Sequence, residues 1–235
     1  EAKIPESVTE IGQSCFSGCA QWDFNMPAGV TSIGSEAFKG CAKITEFTFP
    51  AQMTEIPSYV LQDCAALTKV TLGDNVTSFG YGVFRNCTSL SEMTTKDGQT
   101  GFNLPSSLTS IGSYCFLGCK GIREAILPEG IKILGINSLQ NSGLEALVLP
   151  AALTANITNN NIVQDCKDVT IYASMSAPGR CGTYTWRISS QTFAPVVVPT
   201  GTKAAYEAQN YWSKSALSEP VLENISLADI QAIST

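Results

Sequence analysis

The sequence predicts an α/β repeat solenoid: a parallel sheet built from one short strand and one short helical turn per repeat of about 23 residues. Three observations carry this. Proline or glycine anchors recur at Pro5, Pro27, Pro50, Gly73, Pro105, Pro128 and Pro150, separated by 22, 23, 23, 32, 23 and 22 residues. Behind each anchor, apolar columns recur: Ile11, Ile33, Ile56, Phe79, Ile111 and Leu134, then Phe16, Phe38, Leu61, Phe84, Phe116 and Leu139. Ahead of several anchors, apolar and mostly polar residues alternate, as in "ITEFTFP" and "LTKVTLG".

The alternation defines the strand. Phe47 and Phe49, Val70 and Leu72, Ala125 and Leu127, and Leu147 and Leu149 share one face, because successive strand residues point to opposite sides. The anchor ends the strand, and the column opened by Ile11 begins the next segment. From that column to the cysteine column of Cys19, Cys41, Cys64, Cys87 and Cys119, the apolar spacing suits a turn into a short helix. Ser142 takes the cysteine's place in the sixth repeat. One unit cannot enclose a core. Stacked units can, since each lays its apolar columns on those of the next.

Residues 1–172 therefore read as seven repeats, with an insertion at about 96–104. The seventh is looser and carries Ile157, Ile162 and Cys166. Residues 173–235 read as a degenerate final repeat and a C-terminal cap, in which Tyr184, Trp186, Tyr206 and Trp212 cover the open end of the core.

Composition narrows the function classes. Of 235 residues, 44% are apolar, enough for a sizeable core. Net charge is −6, which disfavours nucleic acid and polybasic membrane contact alike. No run of apolar residues is long enough to span a bilayer. There is no histidine, the commonest general base and metal ligand. The chain begins at Glu1, inside a repeat, and reads as a mature or trimmed fragment.

The unit resembles the BspA-like, or Treponema pallidum type, leucine-rich repeat; "MPAGVTSIGSEAFKGCAKITEFTFP" (residues 26–50) matches its pattern closely. "VVVPTGTKAAYEAQNYW" (residues 196–212) is similar to the segment that often ends such arrays. The resemblance implies a right-handed leucine-rich-repeat horseshoe, exported to a bacterial surface or secreted, in bacteria of the Bacteroides type. Some relatives are adhesins. Departures are Pro57 where most repeats have glycine, the missing cysteine of repeat six, and the asparagine-rich seventh repeat.

A cysteine held in a fixed repeat column reads as a small buried packing residue. Two further cysteines, Cys15 and Cys115, create Cys-x-x-x-Cys pairs. Zinc would need four ligands, and neither pair has neighbours to complete them, so no metal and no cofactor is expected. A bond between Cys166 and Cys181 stays open, because exported proteins tolerate disulfides.

Two surfaces are candidates for binding. The first is the outer strand face: Glu46, Lys69, Glu92 and Glu124 in one row, Thr48, Thr71, Thr94 and Ile126 in the next. In the seventh repeat the same rows are assigned to Asp168 and Thr170. The second is the inserted loop with Lys96, Asp97, Gln99 and Phe102, whose Asp-Gly and Thr-Gly dipeptides signal turns. A solvated face and a tolerated loop fit the same residues. No acid–base or nucleophile constellation is present to suggest catalysis.

The sequence thus leads to a non-catalytic surface or secreted scaffold whose partner is a host or bacterial surface protein or glycan. A structural spacer without its own ligand is the alternative. The open N-terminal end of the core also offers a site for weak self-association.

Overall fold

The computed structural model describes residues 4–19, 26–95, 101–153, 157, 161–182, 184–209, 212 and 214–219. The first repeats contribute β1 (Glu10–Ile11), β2 (Ser32–Ile33), β3 (Glu46–Thr48), β4 (Glu55–Ile56), β5 (Lys69–Thr71), β6 (Ser78–Phe79) and β7 (Glu92–Thr94). Next come β8 (Ser110–Ile111), β9 (Glu124–Ile126), β10 (Ile133–Leu134), β11 (Ala146–Leu149) and β12 (Thr170–Ala173). The C-terminal part adds β13 (Val196–Val197), α1 (Lys203–Glu207) and β14 (Leu217–Ser218). All strand pairs are parallel, as stacking of identical units requires.

Two strand ladders run along the array. The anchor-side ladder comprises β3–β5–β7 and β9–β11–β12–β13–β14. The second, built on the Ile11 column, comprises β1–β2 and β4–β6–β8–β10. The second ladder needs glycine after its buried residue. The N–H of Gly80 donates to Ile56 O (2.9 Å), and that of Gly135 to Ile111 O (2.8 Å). A Cβ on Gly135 would lie 2.1 Å from the Ser113 nitrogen, so only glycine allows the approach. Pro57 has no N–H to offer, and the ladder breaks there: β2 and β4 are not paired.

The expected helical turn is not formed; among the described residues α1 is the only helix. Between the second ladder and the cysteine column, alternate N–H groups bond the next repeat instead of their own turn. Glu36, Phe38 and Gly40 donate to the carbonyls of Ser58, Val60 and Gln62 at 3.0, 3.0 and 2.7 Å. An α-helix would need those donors for bonds four residues back. Left-handed backbone at two places per repeat also breaks any helix. One such place holds Gly18, Gly40, Asp63, Asn86, Gly118, Asn141 and Asp165, residue types that tolerate positive φ.

One continuous core fills the space between these ladders, from Ile11 to Trp212. The expected boundary at 172 falls inside β12, and the parallel sheet continues through β13 and β14. At the far end Trp186, Tyr206 and Trp212 are 1, 0 and 1% exposed and pack together. Tyr206 Oη donates to Met175 O at 2.8 Å, and Trp212 Nε1 to Gly179 O at 2.9 Å. Both of these buried aromatics thus keep their polar atoms satisfied. Tyr184 does not join them; it stays on the surface, with the Arg187 guanidinium 4.3 Å from its ring centre.

Candidate binding surface

Parallel pairing in register places Glu46, Lys69 and Glu92 in one outward row and Thr48, Thr71 and Thr94 in the next. Glu46 and Thr48 are exposed, and Lys69, Thr71 and Glu92 are half-buried. Opposite charges alternate across the three strands, an arrangement that favours pairing. Thr94, expected on the open face, is only 2% exposed. Residues 101–103 form an added rung beside β7: the N–H of Met93 donates to Gly101 O, and that of Asn103 to Met93 O. Thr94 is therefore flanked by Thr71 on one side and by this rung on the other.

The same rung corrects the expectation for Phe102. It does not project as a loop contact; it packs against the core, with its ring edge-on to Phe116 at 5.4 Å. The signal is in the sequence, since "GFNLP" repeats the alternation of "EFTFP". Lys96, Asp97 and Gln99 lie outside the described residues.

Farther along, Glu124 is half-buried and Ile126 is 36% exposed. Register aligns Ile126 with Val148 and Tyr172, and Tyr172 with Val197. Ala146, Val148 and Tyr172 form an apolar cluster separate from the main core, with Val197 packed against it. Burial, and to a lesser degree the Glu124 charge, raise the Tyr172 phenol above its usual pKa. Sequence reasoning misses Tyr172 because it sets the seventh repeat two residues early. The outward positions there are Thr170 and Tyr172. The alternation of "TIYA", with Ile171 and Ala173 inward, is the signal that locates them.

The cysteine column lies inside. Cys41 Sγ donates to Phe16 O at 3.1 Å, Cys64 to Phe38 O at 3.1 Å, Cys87 to Leu61 O at 3.1 Å, and Cys119 to Phe84 O at 3.0 Å. Each thiol thus gives a carbonyl of the preceding repeat a second hydrogen bond, beside the backbone N–H that the carbonyl already accepts. Cys166 donates to Leu139 O at 3.2 Å and also meets the Ser142 hydroxyl. Burial pushes Cys41 up to about 11, and Cys64 and Cys181 up to about 12. All nine cysteines, Cys166 and Cys181 included, are free thiols. Among the described residues no group of three or more His, Cys, Asp or Glu side chains could hold a metal ion. The outer face offers hydroxyls, alternating charge and the exposed Ile126.

Comparison with known proteins places these features in context. A family model described as the BspA type leucine rich repeat region, in six copies, matches residues 1–101 and 98–173. A leucine-rich repeat protein from Bacteroides ovatus superimposes with a TM-score of 0.69 at 26% identity, covering 92% of this chain and 53% of that one. The chain thus spans about half the length of that relative. The T. pallidum leucine-rich repeat protein superimposes with a TM-score of 0.57 at 18% identity, covering 89% of this chain and 92% of the other, a likeness of fold. The pneumococcal vaccine antigen PcpA does so with 0.57 at 16% identity, covering 84% and 55%. No curated protein matches the chain.

Proposed function

The chain belongs to the BspA-type leucine-rich repeat family, and from that premise we propose that it is a non-catalytic recognition scaffold working outside the cell or at its surface. The fold is generally a protein-binding scaffold. The finer reading is adhesin-like binding of a host or bacterial surface protein through the outer strand face. The observation that carries it is the in-register face of β3, β5 and β7, where Glu46, Lys69, Thr48 and Thr71 stand in straight rows. Rigid elements hold these groups, so little ordering entropy is lost on contact.

The test is an array of host matrix proteins, bacterial surface proteins and glycans probed with the purified chain. Specific capture of one protein class supports the reading. Capture of glycans alone moves recognition to carbohydrate, and capture of nothing favours a spacer that holds another domain at a distance.

A further inference from the structure

A second surface lies at the corner where the second ladder meets the turn segment. Tyr59, Tyr81 and Tyr114, from three consecutive repeats, stand side by side there. Their ring centres are 5.1 and 5.0 Å apart, with planes inclined by 55 and 40°. Tyr81 is 38% exposed, and the outer two are half-buried. The rings are tilted against one another, and the exposed Tyr81 stands between the two half-buried rings.

The backbone is arranged to hold this comb. Tyr59 and Tyr114 have φ of 60°, a conformation that bulky residues rarely adopt and that Asn137 and Asn161 fill in later repeats. Gly82 occupies that place between them. A Cβ there would lie 2.8 Å from two atoms of the Tyr59 ring, so glycine leaves the space the ring fills. Lys39 Nζ sits 5.7 Å from the Tyr59 ring centre and the Arg85 guanidinium 6.0 Å from that of Tyr114. Lys39 has only a long contact with Glu36, at 3.9 Å. Arg85 takes part in no salt bridge among the described residues, and its Nε is buried without a hydrogen-bond partner. In a chain of net charge −6 this is a cation that no carboxylate among the described residues pairs.

We propose that the comb binds an extended acidic glycan. A phenol recurs on three successive repeats at about 5 Å, which suits a polymer that repeats one chemical unit at comparable length, as a chain of pyranose rings does. A peptide strand fits poorly: it rises about 3.3 Å per residue, so like-facing side chains recur at about 6.6 Å. Ring edges carry the positive end of the aromatic quadrupole, and phenols donate hydrogen bonds. Arg85 and Lys39 pair with the glycan's carboxylates or sulfates. The site is separate from the outer strand face and stands or falls independently of it.

The experiment is calorimetric titration of the full chain with polygalacturonate and heparin oligosaccharides, a carboxylated and a sulfated probe. Neutral dextran and poly-glutamate serve as comparators. Binding of either acidic glycan, weakened about tenfold or more by Tyr81→Ala and by Arg85→Gln, is the expected result. The weakening by Arg85→Gln is expected to shrink at high salt. Tyr81→Phe, which keeps the ring, tests the hydroxyl alone in a variant that preserves packing, and is expected to weaken binding less than Tyr81→Ala. Gln191→Ala, an exposed and uncharged position outside both surfaces, is expected to leave glycan affinity unchanged. Equal affinity for dextran, equal affinity for poly-glutamate, or no binding of either acidic glycan overturns the proposal.

Discussion

The thiol of Cys64 donates to the carbonyl oxygen of Phe38, 3.1 Å away in the preceding repeat, and the contact recurs down the column. It explains why cysteine rather than alanine fills a small apolar place. Cys87→Ala is expected to cost about 1–2 kcal/mol, since the buried Leu61 carbonyl keeps only its bond from the Cys64 N–H and a small void opens. Cys87→Ser is expected to cost about half as much, because the hydroxyl keeps a donor, and serine already fills this column at Ser142 in the sixth repeat. Urea unfolding of the two variants checks the order.

The same burial makes stability fall in alkali. The thiols of Cys41, Cys64 and Cys181 are raised from an ordinary value of 9.0 to about 11, 12 and 12. The unfolded chain therefore loses these protons first. Stability is full below pH 9 and declines as pH rises toward 12, with a slope of about 1.4 kcal/mol per pH unit for each such thiol. Denaturation curves from pH 8 to 11 read this directly. In the folded state at pH 8 an alkylating reagent is expected to label exposed Cys15 first, and buried Cys87 and Cys119 only on unfolding.

Gly135→Ala is expected to destabilise the array by about 3 kcal/mol, because the added Cβ would sit 2.1 Å from the Ser113 nitrogen. The readout is the urea midpoint, compared with Gly12→Ala, where no atom lies within 4 Å.

Pro57→Gly tests the opposite case. The new N–H can reach the Ile33 carbonyl as Gly80 reaches Ile56, so β2 and β4 should join. The gain of about 1 kcal/mol is largely offset by the greater freedom of glycine in the unfolded chain. Stability is then nearly unchanged, and hydrogen exchange shows one new protected amide at position 57.

Periodicity makes the columns legible in the sequence, because every repeat buries the same residues; Phe38, Phe84 and Phe116 are each fully buried. The backbone between the columns is not legible in the same way. A five-then-three spacing of apolar residues suggests a helical turn but does not reveal where the N–H groups go. The donors of Glu36, Phe38 and Gly40 are spent on the next repeat, an interaction between units that no single unit displays. Phe102 and Tyr172 depart from expectation for a related reason. Each lies where the repeat length changes, and register there is set by pairing with β7 or β11 rather than by counting from an anchor. The tyrosine comb is hidden in the sequence because Tyr81 stands one position ahead of the column of Tyr59 and Tyr114, and only stacking brings the rings together.

Recognition on the outer face of β3 and β5 is tested most directly by one comparison. The dissociation constant of the captured protein partner is measured for the parent chain and for Thr48→Arg/Thr71→Arg, at matched melting temperature. Both threonines are outward and in register, so the fold should tolerate the change. Affinity is expected to fall by about a hundredfold, as bulky charge blocks the row. Equal affinity in the folded variant would contradict binding through this face.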